Sequence, residues 1–308
     1  MGELVAESYR RTIVSMDTFV SILVVRPVAE VACAEAVERA FEWFRYVERR
    51  CSRFDRQTEV MGLLATVGRP ARVSRLLFEA VQFALKVAEA SNGAFDPTIG
   101  HQLEARGFNR NYQTGELVTT GLRTDVDVSY RDVQLDPIES TITLLRPLIL
   151  DLGAVVKGMA IDLAATELRP FENFSIDAGG DLFLAGHGPE GLSWNVGLRN
   201  PRNLDCVLDT IHLSDRAVCT SGDYERRGDP GDPDHHIIDP RIGRSPPMIA
   251  SVTVVAPTAM VADALGTAAF VLGPDQGIRF LEREGVDGLI VSSTLDRSET
   301  KGFSRYRQ

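Results

Sequence analysis

The chain has 308 residues, 44% hydrophobic and 25% charged, an ordinary balance for a globular protein with an extensive core. A formal net charge of −10 argues against a nucleic-acid partner, which calls for a basic face, and no apolar run reaches membrane-spanning length. Four cysteines (Cys33, Cys51, Cys206, Cys219) form no CxxC pair, which disfavours a zinc ribbon or redox dithiol and fits buried thiols in a reducing compartment.

In chain order, the first segment, MGELVAESYRRTIVSMDT, lacks the continuous apolar core of a secretion signal, so the expected location is cytoplasmic. Residues 18–25 alternate and are β-branched, predicting a strand that ends at Pro27. Residues 28–50 have helical spacing, with Val31, Ala34, Val37, Ala40, Phe41 and Phe44 on one face. The arginines that follow (Arg49, Arg50, Arg53, Arg56) read as a solvated helix end in preference to a phosphate clamp. A second helix over 74–90 is capped by Ser74 and stopped by Asn92-Gly93. Residues 133–135 and 141–145 form a predicted hairpin, and 148–150 lead into a helix over about 154–168. Short strands at 174–176, 182–185 and 194–198 are separated by glycine turns. A buried strand (251–255), a helix (258–272) stopped at Gly273-Pro274, a helix (276–284) and a strand (288–291) complete the reading. Strands dominate the middle and helices the flanks, which predicts an α+β fold. One domain over 1–308 is the simplest partition, with a weak second lobe over roughly 95–130 as the alternative.

Reactive polar groups concentrate in a few segments. HHIIDPRIG (235–243) holds two of the five histidines beside an aspartate and an arginine, the makings of a proton acceptor and its orienting groups. CTSGDY (219–224) reads as a small-hydroxyl turn just before it. DLGAVVKG (151–158) takes a strand end into a helix start, where N–H groups attract an anion that Lys157 could reach. Equally, Asp151 could simply cap the helix and Lys157 be solvated. In VADALGTAAF (261–270), Asp263 and Thr267 share one helix face. Burying that carboxylate is costly without a cation, so magnesium is favoured over a Thr267 hydroxyl bonding back to the helix.

SNGAFDPTIG (91–100) sets Phe95 and Asp96 in a turn that suits a planar ligand such as a base or flavin ring, or is simply a packed Asp-Pro turn. IDAGGDLFLAG (176–186) has paired glycines but no GxGxxG in a βαβ unit, so no dinucleotide fold is expected. Ser221 lacks the GxSxG setting of a hydrolase nucleophile, and no HExxH points to zinc. His101, His187 and His212 read as surface or turn residues.

Taken in order, MDT (16–18), SRFD (52–55), GAFDPTIG, DLGAVVKG, AGGD, TSGDY, HHIIDPRIG and ADALGT resemble the FAD:protein FMN transferase (ApbE) family over about residues 14–292. The resemblance implies an ApbE-like, T-fold-like α+β fold with mixed, largely antiparallel sheets flanked by helices. It implies transfer of FMN from FAD to a threonine or serine hydroxyl of an acceptor protein, with release of AMP and a need for magnesium; some members hydrolyse FAD instead. FAD would then be the substrate, Mg2+ the cofactor, and a protein bearing the target hydroxyl the partner. By the same resemblance Met16, Phe54, Ala94, Phe95, Asp96, Asp151 and Lys157 line the FAD pocket. The carbonyl oxygen of Ala154, with Asp263 and Thr267, holds magnesium. His236 is the proton acceptor, Asp239 and Arg241 orient it or meet phosphate, and Thr220, Ser221 and Gly222 shape the same pocket. The chain departs from the family in carrying Asp17 for glycine, Ile242 for threonine, no tryptophan in HQLEARGFN (101–109), and Gly266 where some members add an acidic ligand.

Overall fold

The computed structural model describes residues 8–27, 29–122, 127–225 and 234–307. Val28, the first residue of the first expected helix, and residues 123–126 of the alternative second lobe lie outside these. The chain opens with β1 (Ser8–Ser15) and β2 (Thr18–Val25), joined at Met16 and Asp17. Their φ angles of 54° and 61° make the two-residue turn whose twist matches a hairpin, and an aspartate tolerates the position that the family gives to glycine. Helix α1 (Glu30–Cys51) buries Cys33, Ala36, Val37, Ala40, Phe41 and Phe44. The expected stripe is therefore rotated at its start: Val31 is exposed and Cys33 takes the inward place.

Next come α2 (Glu59–Gly62), β3 (Ala71–Arg72), α3 (Arg75–Ala90) and α4 (Gly100–Ala105). Ser74 caps α3 by accepting from the Leu77 N–H at 3.3 Å. The hairpin β4 (Val133–Asp136) and β5 (Thr141–Leu144) precedes α5 (Gly153–Leu168). Strands β6 (Phe174–Ala178), β7 (Asp181–Ala185), β8 (Trp194–Asn200), β9 (Asn203–Leu213), β10 (Arg216–Gly222) and β11 (Ile249–Ala256) follow. Helix α6 (Ala259–Arg283), β12 (Asp287–Ser292) and β13 (Arg297–Glu299) close the order. Gly273, at φ 79° and ψ 179°, breaks α6 ahead of Pro274, so the two expected helices are two arms of one kinked element.

Eight strands form the main sheet in the order β1-β2-β6-β7-β10-β11-β12-β13, every pair antiparallel. The expected α+β class with largely antiparallel sheets is the fold observed. One face packs against α1, α5 and α6 through Val20, Ile22, Ile176, Val252 and Val254. The other face packs against the β8-β9 hairpin and the C-terminal turn through Leu184, Val255, Leu289, Trp194, Ile211 and Phe303. Strand β11 is covered on both faces, which is why all its residues are buried and why it read as an unbroken apolar run.

Strands β1, β3, β9 and β13 were not foreseen: β3 has two residues, β1 and β13 edge the main sheet with mainly exposed residues, and β9 is mainly exposed apart from Ile211 and Leu213 at its end. The residues expected as a hydroxyl turn, Cys219 to Gly222, are the end of β10; the chain turns only at Asp223. Cys206, expected to be buried, is exposed on β9, whereas the other three thiols are buried.

Candidate active site

Helices α5 and α6 carry the centre of the site. They approach so closely at Gly158 that a Cβ there would lie 2.5 Å from the Ala259 carbonyl and the Met260 Cα. This contact sets the start of α6 beside α5, one turn before Asp263. Asp263 is buried, and its Oδ2 has no hydrogen-bond partner. Burial pushes its carboxyl up to about 7; Asp181 adds to the rise, while Lys157 and the Gly158 N–H oppose it. One turn on, the Thr267 hydroxyl faces Ser221 Oγ at 3.4 Å instead of bonding back to its own helix, so the structural alternative for this residue is not the one observed.

Lys157 is not a solvated lysine. Its Nζ lies 2.5 Å from Oδ2 of Asp181, which is itself buried. Burial works against the ammonium charge, but Asp181 and Asp263 together outweigh it and hold Lys157 protonated. Asp181 Oδ1 also accepts the Thr220 N–H at 3.2 Å, tying β7 to β10. In the sequence Asp181 is marked only as an aspartate after the paired glycines of AGGD (178–181). Thr220 Oγ1 meets Thr253 Oγ1 at 2.9 Å, and Gly222 is the close-packed end of β10, where a Cβ would strike the Tyr224 ring at 2.6 Å. The Cys219 thiol is raised well above its ordinary range by burial and by Asp181 and Asp263, so it is an inert packing group.

The flanking loops are pinned to this centre by backbone bonds. The Asp151 N–H donates to Pro97 O at 2.7 Å and the Gly100 N–H to Ile149 O at 3.1 Å, which zips GAFDPTIG to DLGAVVKG. Gly100 is required there because a Cβ would lie 2.6 Å from Ile149 O. Asp151 Oδ1 accepts the Gly153 N–H at the start of α5, and its Oδ2 pairs with Arg53. Arg53 is therefore buried and not part of a solvated helix end; it also donates to Phe108 O at 2.6 Å and covers the Phe54 ring at 4.1 Å. Ala94 and Phe95 lie in the main core, and Ala154 sits in the first turn of α5, partly buried. Asp96 spends its oxygens on Thr98 (N–H at 2.9 Å, hydroxyl at 2.7 Å) and on the Tyr130 N–H at 2.9 Å. These bonds build the turn itself. A cavity of about 260 Å³ beside Phe54, walled by Glu48, Arg49, Asn111 and Tyr112, meets the expected residues at Phe54 alone. Met16, half-buried, packs on the core beneath the hairpin turn.

The HHIIDPRIG loop is anchored by its first histidine. The buried His235 gives its N–H to Ser245 Oγ at 2.9 Å, takes that hydroxyl on its carbonyl at 2.7 Å, and sets its ring edge-on to Phe270 of α6 at 5.4 Å. His236, next to it, is only partly buried. Asp239 grips Arg241 with both oxygens: Oδ1 accepts the Arg241 Nε at 2.8 Å and Oδ2 the Arg241 Nη2 at 2.8 Å. Arg241 remains half exposed behind that fork. The loop is also tied to α4, through Arg106 to Gly243 O and through Gln102 Nε2 to Pro240 O at 3.5 Å. Of the other histidines, His101 is buried on α4, its imidazole kept neutral chiefly by burial, and His212 is half-buried on β9; only His187 is exposed.

Among the described residues no group of three or more His, Cys, Asp or Glu side chains is placed to hold a metal. The donors at hand are one unpartnered carboxylate oxygen, one hydroxyl and the carbonyls at the start of α5. Hard oxygens with so few protein anions fit a magnesium ion that completes its shell with water and substrate phosphate.

Set on a largely antiparallel α+β frame, these groups define an enzyme with a polar, partly buried centre. The ApbE family model matches residues 16–290, and the chain belongs to that family. It is 33% identical over 289 residues to the FAD:protein FMN transferase of Treponema pallidum, covering 86% of this chain and 79% of that protein. The Escherichia coli protein of the same name is 30% identical over 251 residues, covering 75% of this chain and 69% of the relative. Among solved structures, the ApbE protein of Thermotoga maritima superposes with a TM-score of 0.87 at 29% identity, covering 98% of this chain and all of the other. The flavin transferase ApbE of Vibrio cholerae superposes with a TM-score of 0.85 at 24% identity, a likeness of fold. No helix of the described residues is long and apolar enough to cross a membrane.

Proposed function

We propose that this protein transfers FMN from FAD to a threonine or serine hydroxyl of an acceptor protein, with magnesium as cofactor and AMP as the leaving product. The observation that carries the reading is Asp263: a buried carboxylate with an oxygen left without a donor, one turn from a hydroxyl and beside the half-buried Lys157. Family membership and the names of the relatives supply the substrate. Three buried free thiols fit a cytoplasmic location, which forms part of the same reading.

In this reading the acceptor oxygen attacks the FMN phosphorus of the pyrophosphate. A new P–O bond forms there, the bond to the AMP phosphate oxygen breaks, and AMP departs with the electron pair. His236 takes the acceptor's proton. Magnesium, when bound by Asp263, Thr267 and the Ala154 carbonyl, would neutralise the charge that builds on the pyrophosphate oxygens. Lys157, held protonated by Asp181, supplies fixed positive charge at the same edge. Arg241, braced by Asp239, presents its outer face to a phosphate. Asp151, with Arg53 and the Gly153 N–H, fixes the start of α5 and hence the direction of the Ala154 carbonyl.

Incubation with FAD and magnesium, with and without an acceptor peptide, tests this reading. AMP that appears only with peptide modification is the expected outcome. AMP without any peptide would make the protein an FAD pyrophosphatase, and bound FAD with no AMP at all would make it a flavin-binding protein.

A further inference from the structure

One half-buried carboxyl group has no part in the chemistry above. Asp162, on α5, reaches across to the first turn of α6 and accepts two backbone N–H groups there: Ala259 to Oδ1 at 2.7 Å and Met260 to Oδ2 at 3.0 Å. Thr258 Oγ1 accepts the next free donor, the Val261 N–H, at 3.4 Å. The start of α6 is thus satisfied partly by its own cap and partly by a neighbouring helix. Ala154, Gly158 and Asp162 stand four residues apart, so they share one ridge of α5. Along that ridge Asp162 meets Ala259 and Met260, Gly158 meets the same residues by close backbone packing, and the Gly158 N–H reaches the Asp263 carboxylate. The Ala154 end of the ridge therefore points towards Asp263 and Thr267.

We propose that Asp162 is a positioning residue for the metal: its two-pronged grip on α6 fixes the height and rotation of Asp263 and Thr267 against the Ala154 carbonyl. An apolar residue with a water on the free N–H groups would leave α6 free to slide along α5; a carboxylate bonded to two successive N–H groups sets both translation and rotation. Burial raises the Asp162 carboxyl to about 6 despite these two bonds, so the group costs the fold stability while it holds the helix. That cost favours a role in placement over one in stability.

The proposal rests on the magnesium reading, and the test separates the two. Mn2+ binding by the full-length chain is measured by paramagnetic resonance, with ADP present as the pyrophosphate-bearing part of FAD, for wild type, Asp162→Asn, Asp162→Ala and Asp263→Ala. Phe303→Leu, in the core on the opposite face of the sheet, serves as a control of lowered melting temperature. The expected result is Mn2+ binding by wild type, none by Asp263→Ala, and affinity lowered ten- to a hundredfold in Asp162→Asn or whichever Asp162 variant folds, while Phe303→Leu binds as wild type does. Unchanged Mn2+ affinity in a folded Asp162 variant, with binding lost in Asp263→Ala, would overturn the positioning role and leave the metal reading standing. Affinity lowered equally by Phe303→Leu would reduce Asp162 to general stability and also overturn it. No Mn2+ binding by wild type would remove the metal reading and the proposal together.

Discussion

At the scale of single residues, the site is built from charges whose partners are chosen by burial. Asp263 has one oxygen without a hydrogen-bond donor, and its environment favours the neutral acid. Without a cation this is a liability, so the same substitution acts in opposite directions on stability and on turnover. Asp263→Asn is expected to raise metal-free stability by about 1 kcal/mol, read as melting temperature in chelator, by removing a buried charge. In an activity assay it is expected to cut magnesium-dependent turnover at least about a hundredfold. Asp181→Asn would leave the Lys157 ammonium facing an uncharged amide. A stability loss of about 1–3 kcal/mol in urea titration is expected, moderated because Lys157 is partly open to solvent. The sequence made Asp263 and Thr267 legible because a carboxylate and a hydroxyl in an apolar helix stand out. It could not reveal Asp181, whose partner lies in a distant helix, or the burial of Arg53, since four neighbouring arginines look alike until Asp151 selects one.

Between elements, the α5–α6 contact governs the site. Gly158→Ala would drive a methyl into the Ala259 and Met260 backbone, where no flexible side chain can give way. Thermal unfolding is expected to show a loss of at least about 2 kcal/mol, larger than helix propensity alone could offset. The Asp162 clamp adds a pH signature. Its folded carboxyl titrates near 6, above the ordinary aspartate range, so between about pH 4 and 6 the folded state holds a proton that the unfolded chain has released. Stability contributed by this group is full below about pH 4 and falls as pH rises to 6. The titratable group that feels Asp162 is the Cys219 thiol, kept neutral by its own burial. The stability of wild type relative to Asp162→Asn should therefore shrink as pH rises across that window, and a difference independent of pH would refute the assignment. Helices and buried strands such as α3 and β11 were legible because apolar period and caps agree with their packing. Edge strands were not, since β1 and β13 are defined by a neighbour's backbone more than by their own side chains.

Across the whole molecule, sequence distance is folded away by backbone ties. GAFDPTIG is bonded to DLGAVVKG, α4 to the HHIIDPRIG loop, and β7 to β10, so segments from residue 91 to residue 267 meet around the α5–α6 crossing. The motif order was readable in the sequence; the division of labour inside each motif was not. In HHIIDPRIG, for example, His235 anchors the loop against Ser245 and Phe270, and Asp239 braces Arg241. The mass of an acceptor protein tests the account as a whole. After incubation with this protein, FAD and magnesium, its mass should rise by FMN less water at one threonine or serine, and chelator or Asp263→Ala should prevent the change. An acceptor modified equally well in chelator, or by the Asp263→Ala protein, would contradict the magnesium-dependent transfer proposed for this site.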